Sequence, residues 1–268
     1  MKRINENPII AFDSGIGSLS IIKELRNRLP DENIIYFADR VHFPYGTKTR
    51  EELFKIMINT IKYLERFSPK LIIIASNTPS VQILNDLKKN TQIPLIGVMP
   101  PLKEAVNLTK KNHIGIMATN GTIKSKELQF QIDNEIPQHI FVSKFDASVL
   151  IKQIENGVFL KDSDKILDNI MQITENSKID EIDVITLSST HLPLIKSYFK
   201  EVFPKIKFVD PAQIIALETK KELSVRNVQR KVKNGTLRIL VSKDKKKFQK
   251  MLNYFGIRQE PREIFLSF

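Results

Sequence analysis

Short apolar runs alternate along the chain with longer segments whose apolar residues recur every three or four positions. Short runs rich in β-branched residues are typical of buried parallel strands, and the three-to-four spacing is typical of amphipathic helices. This alternation predicts an α/β protein with parallel sheets flanked by helices and right-handed crossovers. The predicted helices include 18–28 and 50–67. The predicted strands are 9–12, 34–37, 71–75, 95–98, 114–117, 140–143, 184–187, 206–209 and 237–241.

Two pairs of segments repeat each other. Segments 71–79 and 184–193 each pass from an apolar run into a row of small polar residues, at an offset of 113 residues. Segments 9–15 and 114–120 match at an offset of 105 residues. The repeats indicate two related, pseudosymmetric lobes that share one ligand. Ligands of open α/β sheets bind beyond the carboxyl ends of the strands, so the polar residues after these runs are the expected site.

Two proline-containing dipeptides mark the expected crossings between the lobes, since the residue before a proline is biased away from helix. They are Pro100-Pro101, after the fourth predicted strand, and Asp210-Pro211, after the eighth. We therefore expect a first lobe of residues 1–98 plus 210–268 and a second lobe of residues 99–209.

Composition narrows the class of protein. The chain has 268 residues, of which 41% are hydrophobic and 27% are charged, as in an ordinary globular protein. It contains no cysteine, which excludes disulfides, thiolate metal sites and thiol nucleophiles. The four histidines have no ligand-type spacing, so we expect no structural metal. Without a signal-peptide pattern or an apolar run of transmembrane length, the expected location is the cytosol, with no membrane contact.

The formal net charge of +12 is concentrated in one stretch. Residues 220–250 contain twelve Lys or Arg against Glu222 and Asp244, a balance of +10. We interpret this stretch as a solvated face that completes the first lobe, because lysines cannot be buried unpaired without a large desolvation cost. The alternative is a surface for nucleic acid or another acidic partner, although no aromatic residues are interleaved with the basic ones as in single-strand binders.

Three motifs carry candidate chemistry. Residues 13–17, Asp-Ser-Gly-Ile-Gly, connect a predicted strand to a helix, but their spacing and acidic residue do not suit a phosphate loop. Asp13 suits an ammonium group, or with Ser14 it caps the helix. Residues 44–48, Pro-Tyr-Gly-Thr-Lys, form either an ordinary loop or a turn that presents backbone N–H groups and the tyrosine hydroxyl to a carboxylate. His191 is either a ligand contact or a histidine that only supports its neighbours.

Taken together, these motifs resemble glutamate racemase over essentially the whole chain. The resemblance extends to the Ala-Thr-Asn-Gly-Thr turn at 118–122, to Asp210-Pro211-Ala212 and to Val241-Ser242-Lys243-Asp244. It implies an acidic amino acid, glutamate or aspartate, bound in a cleft between two pseudosymmetric lobes, racemisation without a cofactor, and a homodimer. The resemblance also implies a supporting carboxylate, Glu155, and the following substrate contacts: Asp13, Ser14, Tyr45, Gly46, Asn77, Thr78, Thr119, Thr122, Thr190 and His191.

The chain departs from the family at the two positions that carry the reaction. The family has two cysteines there, one on each face of the substrate, and this chain has Ser76 and Ser189. A cysteine with a pKa near 8.5 supplies some thiolate at neutral pH, whereas an unactivated serine supplies negligible alkoxide. Asp13 and His191 are the available proton relays, to Ser76 and Ser189 respectively.

Three interpretations remain open. The chain is a racemase that is slow or rebuilt around its serines, or it is an inactive family member that binds an acidic amino acid as a sensor or regulatory partner. The third is an ordinary racemase whose cysteines were replaced by engineering. Ser188, where the family usually has glycine, and Ala147, where many members have a further cysteine, favour a natural cysteine-free lineage.

Overall fold

The computed structural model describes residues 4–175 and 177–266, which divide into two compact units. The first unit contains the chain up to Val98 and from Ala212 onward, and the second unit runs from Met99 to Pro211. The second unit thus ends two residues beyond the expected Val209. Within the described ranges, every helix is too short or too polar to span a membrane.

In the described residues, ten strands form two parallel sheets, one in each unit. Numbered in chain order they are β1 (Ile9–Asp13), β2 (Ile34–Ala38), β3 (Leu71–Ile74), β4 (Leu95–Gly97), β5 (His113–Ala118), β6 (Phe141–Asp146), β7 (Val184–Leu187), β8 (Lys207–Val209), β9 (Leu237–Val241) and β10 (Arg262–Glu263). The first unit has the strand order β10-β9-β2-β1-β3-β4, and the second has β6-β5-β7-β8. The β2-β1-β3-β4 part of the first sheet therefore repeats the order of the second. This confirms the predicted α/β class with two related parallel sheets.

Helices connect the strands. In chain order they are α1 (Leu19–Arg28), α2 (Arg50–Glu65), α3 (Asn77–Lys88), α4 (Leu102–Leu108), α5 (Asn120–Ile123), α6 (Lys126–Glu135), α7 (Ser148–Glu155), α8 (Ser163–Thr174), α9 (Lys196–Val202), α10 (Ala212–Val225) and α11 (Lys245–Tyr254). The helix predicted at 50–67 begins as expected, where Thr49 and Glu52 form a reciprocal capping box. It ends two residues early, and Ser68 follows with a left-handed φ of 50°.

The central strands of the first sheet are fully buried. Every residue of β1, β2 and β3 is buried, which explains why these strands appear as continuous apolar runs in the sequence. One face packs on α2, whose Leu53, Met57 and Ile61 belong to the same core as Phe12 and Phe37. This packing fixes the carboxyl ends of β1 and β3, where the candidate site residues follow.

The basic C-terminal stretch completes the first sheet, as expected. Strand β9 pairs in parallel with β2, with Leu237 opposite Ile34 and Val241 opposite Ala38. Most lysines around β9 are exposed, including Lys243, Lys246 and Lys247. The stretch therefore contributes its apolar residues to the core and its charges to the surface.

The buried ion pair Lys70–Glu32 forms hydrogen bonds with the connection between α10 and β9. Lys70 Nζ lies 2.5 Å from Glu32 Oε2 and also donates to the Val228 carbonyl at 3.0 Å. Glu32 Oε1 accepts from the Arg230 backbone N–H at 2.9 Å. Burial lowers the pKa of Lys70, while hydrogen bonding and the charge of Glu32 oppose that shift. The pair thus couples the start of β3 to the C-terminal segment.

Candidate active site

Two neighbouring strands of the first unit end in polar side chains. Asp13 is the last residue of β1 and is 1% exposed. Its Oδ1 accepts from the Ser14 backbone N–H at 2.6 Å, and the Ser14 hydroxyl lies 3.4 Å from the same oxygen. Strand β3 pairs directly with β1, so Ser76 follows at the same edge of the sheet. The carboxylate and the serine hydroxyls are therefore presented by adjacent strands, as the sequence pattern predicts.

Two polar groups in the segment after β3 have no hydrogen-bond partner among the described residues. Ser76 precedes α3 in an extended conformation without capping the helix, and its hydroxyl has no hydrogen-bond partner among the described residues. Asn77 is 3% exposed, and its Nδ2 donates to the Val98 carbonyl at 3.0 Å. That bond fixes the orientation of the amide and leaves Asn77 Oδ1 buried without a partner in the described chain. Thr78, also buried, is in the first turn of α3.

The 44–48 motif is attached to the sheet through its tyrosine. Residues Tyr45–Thr47 form a short 3-10 helix, with Gly46 half-buried on it. The Tyr45 hydroxyl donates to Asp39 Oδ2 at 2.9 Å, and both residues are buried. Burial, and then the charges of Asp39 and Asp13, raise the pKa of Tyr45 well above its usual value of 10. The hydroxyl has one proton to donate, and Asp39 accepts it.

Asp39 is a buried carboxylate that the sequence analysis did not single out. Its Oδ1 and Oδ2 lie 2.9 and 2.8 Å from His42 Nδ1, and the Ser242 hydroxyl is 3.5 Å from Oδ1. The Asp39 backbone N–H donates to the Asp13 carbonyl at 2.7 Å. Asp39 therefore links the end of β2, the tyrosine turn and the end of β9. Its position directly after an apolar strand was an available signal for it.

The second unit presents a matching set after β5. Thr119 caps the short helix α5 through a bond from the Thr122 backbone N–H to its Oγ1, at 3.3 Å. The two threonine hydroxyls lie 3.0 Å apart. Thr122 is buried and Thr119 is half-buried, so the pair is fixed at the strand end.

The row of polar residues after β7 contains hydroxyls in different environments. Ser188 is fully buried, and its Oγ lies 2.8 Å from Thr186 Oγ1, which is 3.4 Å from the Gly115 carbonyl. This bonding satisfies the hydroxyl of Ser188 in the core. The Ser189 hydroxyl has no hydrogen-bond partner among the residues that the structure describes, and Ser189 is 6% exposed. Ser189 thus resembles Ser76 in having a hydroxyl left open to another group.

His191, two residues after Ser189, forms a buried pair with Glu155. His191 Nε2 lies 3.1 Å from Glu155 Oε2, and the two residues are 3% and 2% exposed. Glu155 is the last residue of α7, and Thr190, next to His191, is also buried. A carboxylate on one imidazole nitrogen orients the ring and stabilises its protonated form. This places Glu155 in contact with His191.

The two units repeat each other at the hydrogen-bond level. The Ala75 N–H donates to the Phe12 carbonyl at 2.8 Å in the first unit, and the Ser188 N–H donates to the Met117 carbonyl at 2.8 Å in the second. The donors are 113 residues apart and the acceptors 105 apart, which are the offsets found in the sequence. Ser76 and Ser189 therefore follow equivalent positions in equivalent sheets.

These features define an α/β protein with two related sheets and polar side chains after equivalent strands, and comparison with known proteins gives the family. The model of the Asp/Glu/hydantoin racemase family matches residues 18–219 of this chain. The chain belongs to that family. The glutamate racemase of Pasteurella multocida strain Pm70 is 32% identical over 256 residues, which cover 94% of this chain and 94% of that protein.

Solved structures of glutamate racemases have the same fold. An isoform from Bacillus anthracis superposes with a TM-score of 0.87 at 26% identity, over 97% of this chain and 98% of that one. The enzyme from Francisella tularensis subsp. tularensis SCHU S4, solved in complex with D-glutamate, gives a TM-score of 0.84 at 29% identity, over 98% of this chain and 99% of that one. The resemblance inferred from the sequence is thereby confirmed at the level of family and fold.

Proposed function

We propose that this protein binds an acidic amino acid, glutamate first, and exchanges its α-proton without a cofactor at a low rate set by its two serines. The observation that carries the binding proposal is the buried Asn77 Oδ1, which has no partner in the described chain. A buried acceptor without a donor costs about 1–3 kcal/mol, and a ligand N–H group removes that cost. The D-glutamate complex of the Francisella tularensis relative supports glutamate as the ligand.

The proposed contacts divide by chemistry. Asp13 attracts the ligand ammonium group, and the first backbone N–H groups of the 3-10 helix, those of Tyr45 and Gly46, bind a ligand carboxylate. Ligand contacts with hydroxyl groups are proposed for the following residues: Ser14, Thr78, Thr119, Thr122 and Thr190.

The proposed reaction needs a base on each face of the α-carbon. Ser76 and Ser189 have the equivalent positions, with Asp13 and His191 as the groups that pass protons to and from them, and Glu155 as the group that orients His191. A serine hydroxyl ionises far less readily than a thiol, so each proton abstraction requires concerted removal of the hydroxyl proton. The rate is therefore expected to be far below that of a two-cysteine site.

Proton exchange in deuterated water tests the enzymatic proposal. The full chain is incubated with L-glutamate, D-glutamate and L-aspartate, and loss of the α-proton signal is followed by NMR. Exchange that disappears in Ser76→Ala or Ser189→Ala supports catalysis by the serines. If the protein binds glutamate by calorimetry but exchange stays at the buffer rate over days, the enzymatic proposal fails while the binding proposal stands.

A second function is favoured by one specific observation. Neither serine hydroxyl has a hydrogen-bond partner among the described residues, so no base is engaged with either one in this structure. An inactive member of the family that binds an acidic amino acid as a sensor or regulatory partner is consistent with that arrangement. Calorimetry with both enantiomers, combined with the exchange measurement, distinguishes a binder from an enzyme. Absence of binding at millimolar ligand removes both functions together.

We further propose a cytosolic homodimer, from the family resemblance. Light scattering after size-exclusion chromatography measures the mass in solution, and a mass near 31 kDa contradicts the dimer. An acidic partner for residues 220–250 remains the less favoured proposal, since the exposure of the lysines is explained by solvation alone.

A further inference from the structure

A groove of about 770 Å³ opens at the amino-terminal ends of the strands in the first unit. Its lining includes Asn33 and Ile34 at the start of β2, and Phe67 and Ser68 after α2. The candidate active-site residues follow the carboxyl ends of β1 and β3, so the groove lies at the opposite end of the same sheet. Its volume is in the range of sites that bind small molecules.

The floor of the groove is fixed by hydrogen bonds. Asn33 Nδ2 donates to the Glu6 carbonyl at 3.1 Å, and Asn33 Oδ1 accepts from the N–H and the hydroxyl of Thr236 at 3.1 and 2.9 Å. The Glu6 carboxylate, which also lines the groove, is paired with Arg230 Nε at 2.8 Å. The one carboxylate of the lining is therefore already neutralised, and the floor is formed without a ligand.

Two arginines on the walls have a different environment. The Arg238 guanidinium lies over the Phe67 ring at 5.6 Å, and the Arg66 guanidinium lies over the Tyr63 ring at 5.2 Å. The two rings contact each other edge to face, with centroids 6.2 Å apart. A cation–π contact with a ring neutralises no charge, so both guanidinium groups keep their full positive charge for an anion.

Neither of these guanidinium groups forms an ion pair with a carboxylate in the part of the chain that the structure describes. Other arginines of the first unit have such partners, for example Arg50 with Asp86 at 2.7 Å and Arg28 with Glu24 at 3.0 Å. Both positive charges therefore line the groove without a carboxylate to neutralise them.

Arginine is used selectively in this protein. Lysine outnumbers arginine in the chain, and every arginine falls outside residues 99–211, so the second unit has none. The second unit therefore relies on lysine for its positive surface charge. At the groove, the two guanidinium groups supply planar, two-pronged donors, which lysine cannot.

We propose that this groove binds a phosphorylated small molecule, with Arg66 and Arg238 holding its phosphate group. A phosphate monoester carries close to two negative charges at neutral pH and accepts paired N–H bonds, which matches two arginines. The exposed hydroxyl of Ser68 is a further donor in the lining, and the Phe67 ring offers an apolar wall for the organic part of the ligand. This site is independent of the proposed amino-acid site.

Calorimetric titration of the full chain with AMP, pyrophosphate, inorganic phosphate and adenosine tests the site. We expect AMP and pyrophosphate to bind with a dissociation constant of about 1 mM or tighter and adenosine not to bind. The Arg66→Gln/Arg238→Gln variant should bind AMP at least about tenfold more weakly. The matched control is Lys243→Gln/Lys246→Gln, which removes two exposed charges beyond the carboxyl end of β9, at the opposite end of the first sheet from the groove, and should change affinity less than about twofold.

Each other outcome contradicts the proposal. Absence of AMP and pyrophosphate binding at 10 mM ligand, or roughly equal binding of adenosine, rules out phosphate recognition. An equal loss in both double variants shows that only net charge matters. The Arg66→Lys/Arg238→Lys variant keeps the charge and should still bind several-fold more weakly, and full retention of affinity excludes the two-pronged contact. Melting temperatures without ligand confirm that each variant is folded.

Discussion

Replacing Tyr45 by phenylalanine separates a structural hydroxyl from a ligand-binding one. The hydroxyl donates to Asp39 Oδ2 at 2.9 Å in a fully buried setting, while the ring belongs to the core of the first unit. A hydrogen bond to a charged acceptor contributes about 1.5–3 kcal/mol. Because Tyr45→Phe keeps the ring, we expect the free energy of unfolding to fall by that amount. Glutamate affinity should change less than about threefold, because the single hydroxyl proton is committed to Asp39.

The same substitution has a signature in alkaline solution. Burial and the charges of Asp39 and Asp13 raise the pKa of folded Tyr45 well above 10, so the folded state keeps a proton that the unfolded phenol loses. This contribution to stability is complete below the unfolded pKa of about 10 and is lost as the pH rises towards the folded value, by about 1.4 kcal/mol per pH unit. The wild-type protein should therefore lose more stability between about pH 9.5 and pH 11 than Tyr45→Phe. Lys70 titrates in both proteins, so its effect cancels in the difference.

Urea unfolding followed by circular dichroism measures the stability, and calorimetry measures the affinity. Tyr36→Phe is a matched control, because the Tyr36 hydroxyl donates to the neutral Gly15 carbonyl at 2.8 Å and should contribute only about 0.5–1.5 kcal/mol. In an Asp39→Asn background, Tyr45→Phe should also cost about 0.5–1.5 kcal/mol. The reasoning is refuted if Tyr45→Phe lowers glutamate affinity tenfold or more while it changes the free energy of unfolding by less than about 0.5 kcal/mol. The Tyr45 hydroxyl would then be a ligand contact.

Three further predictions concern other parts of the chain. The Ser76→Cys/Ser189→Cys variant should increase α-proton exchange by orders of magnitude, and a folded, glutamate-binding variant without exchange contradicts a family-type site. Lys70→Met should lower the free energy of unfolding by about 3–5 kcal/mol, because it leaves Glu32 buried and uncompensated, whereas a urea midpoint unchanged from wild type argues against that ion pair. Changing lysines 245–247 to glutamine should leave DNA binding at moderate salt weak, as in wild type, and tight wild-type binding lost in the variant would favour an acidic partner.

Most strands were predictable because they are buried on both faces. Val184–Leu187, which is buried throughout, has the predicted bounds, and β1 and β2 are each one residue longer than their apolar runs. Leu237–Val241 also has the predicted bounds, although only its last three residues are buried. Strand β6 was predicted at 140–143 but extends from Phe141 to Asp146, because it is an edge strand with exposed positions and charged residues. The two-residue β10 has no apolar run, so no local pattern marks it.

The candidate site was predictable where residues directly follow a strand, and unpredictable where long-range partners define a role. The repeat offsets and the motif residues at strand ends are local properties of the sequence. The role of Asp39 depends on Ser242, which is 203 residues away in sequence. The commitment of the Tyr45 hydroxyl to a carboxylate is likewise a tertiary property. Sequence patterns thus predicted which polar residues follow the strand ends of each sheet. The hydrogen-bond partners of those residues could be identified only from the structure.

The two serines are equivalent in the fold but not in their support, and this difference predicts an asymmetric reaction. Ser189 lies two residues from His191, whose imidazole is already oriented by Glu155 at 3.1 Å, and a neutral imidazole accepts a proton at pH 7. The expected relay of Ser76 is Asp13, one of whose carboxylate oxygens already accepts from the Ser14 backbone N–H at 2.6 Å and is less available to take up a proton. Deprotonation from the Ser189 side should therefore be faster, so one enantiomer of glutamate should lose its α-proton sooner in deuterated water. His191→Gln should remove the preference for one enantiomer, and Asp13→Asn should weaken glutamate binding. Equal exchange of both enantiomers in the wild-type protein would show that the His191–Glu155 pair supports structure alone.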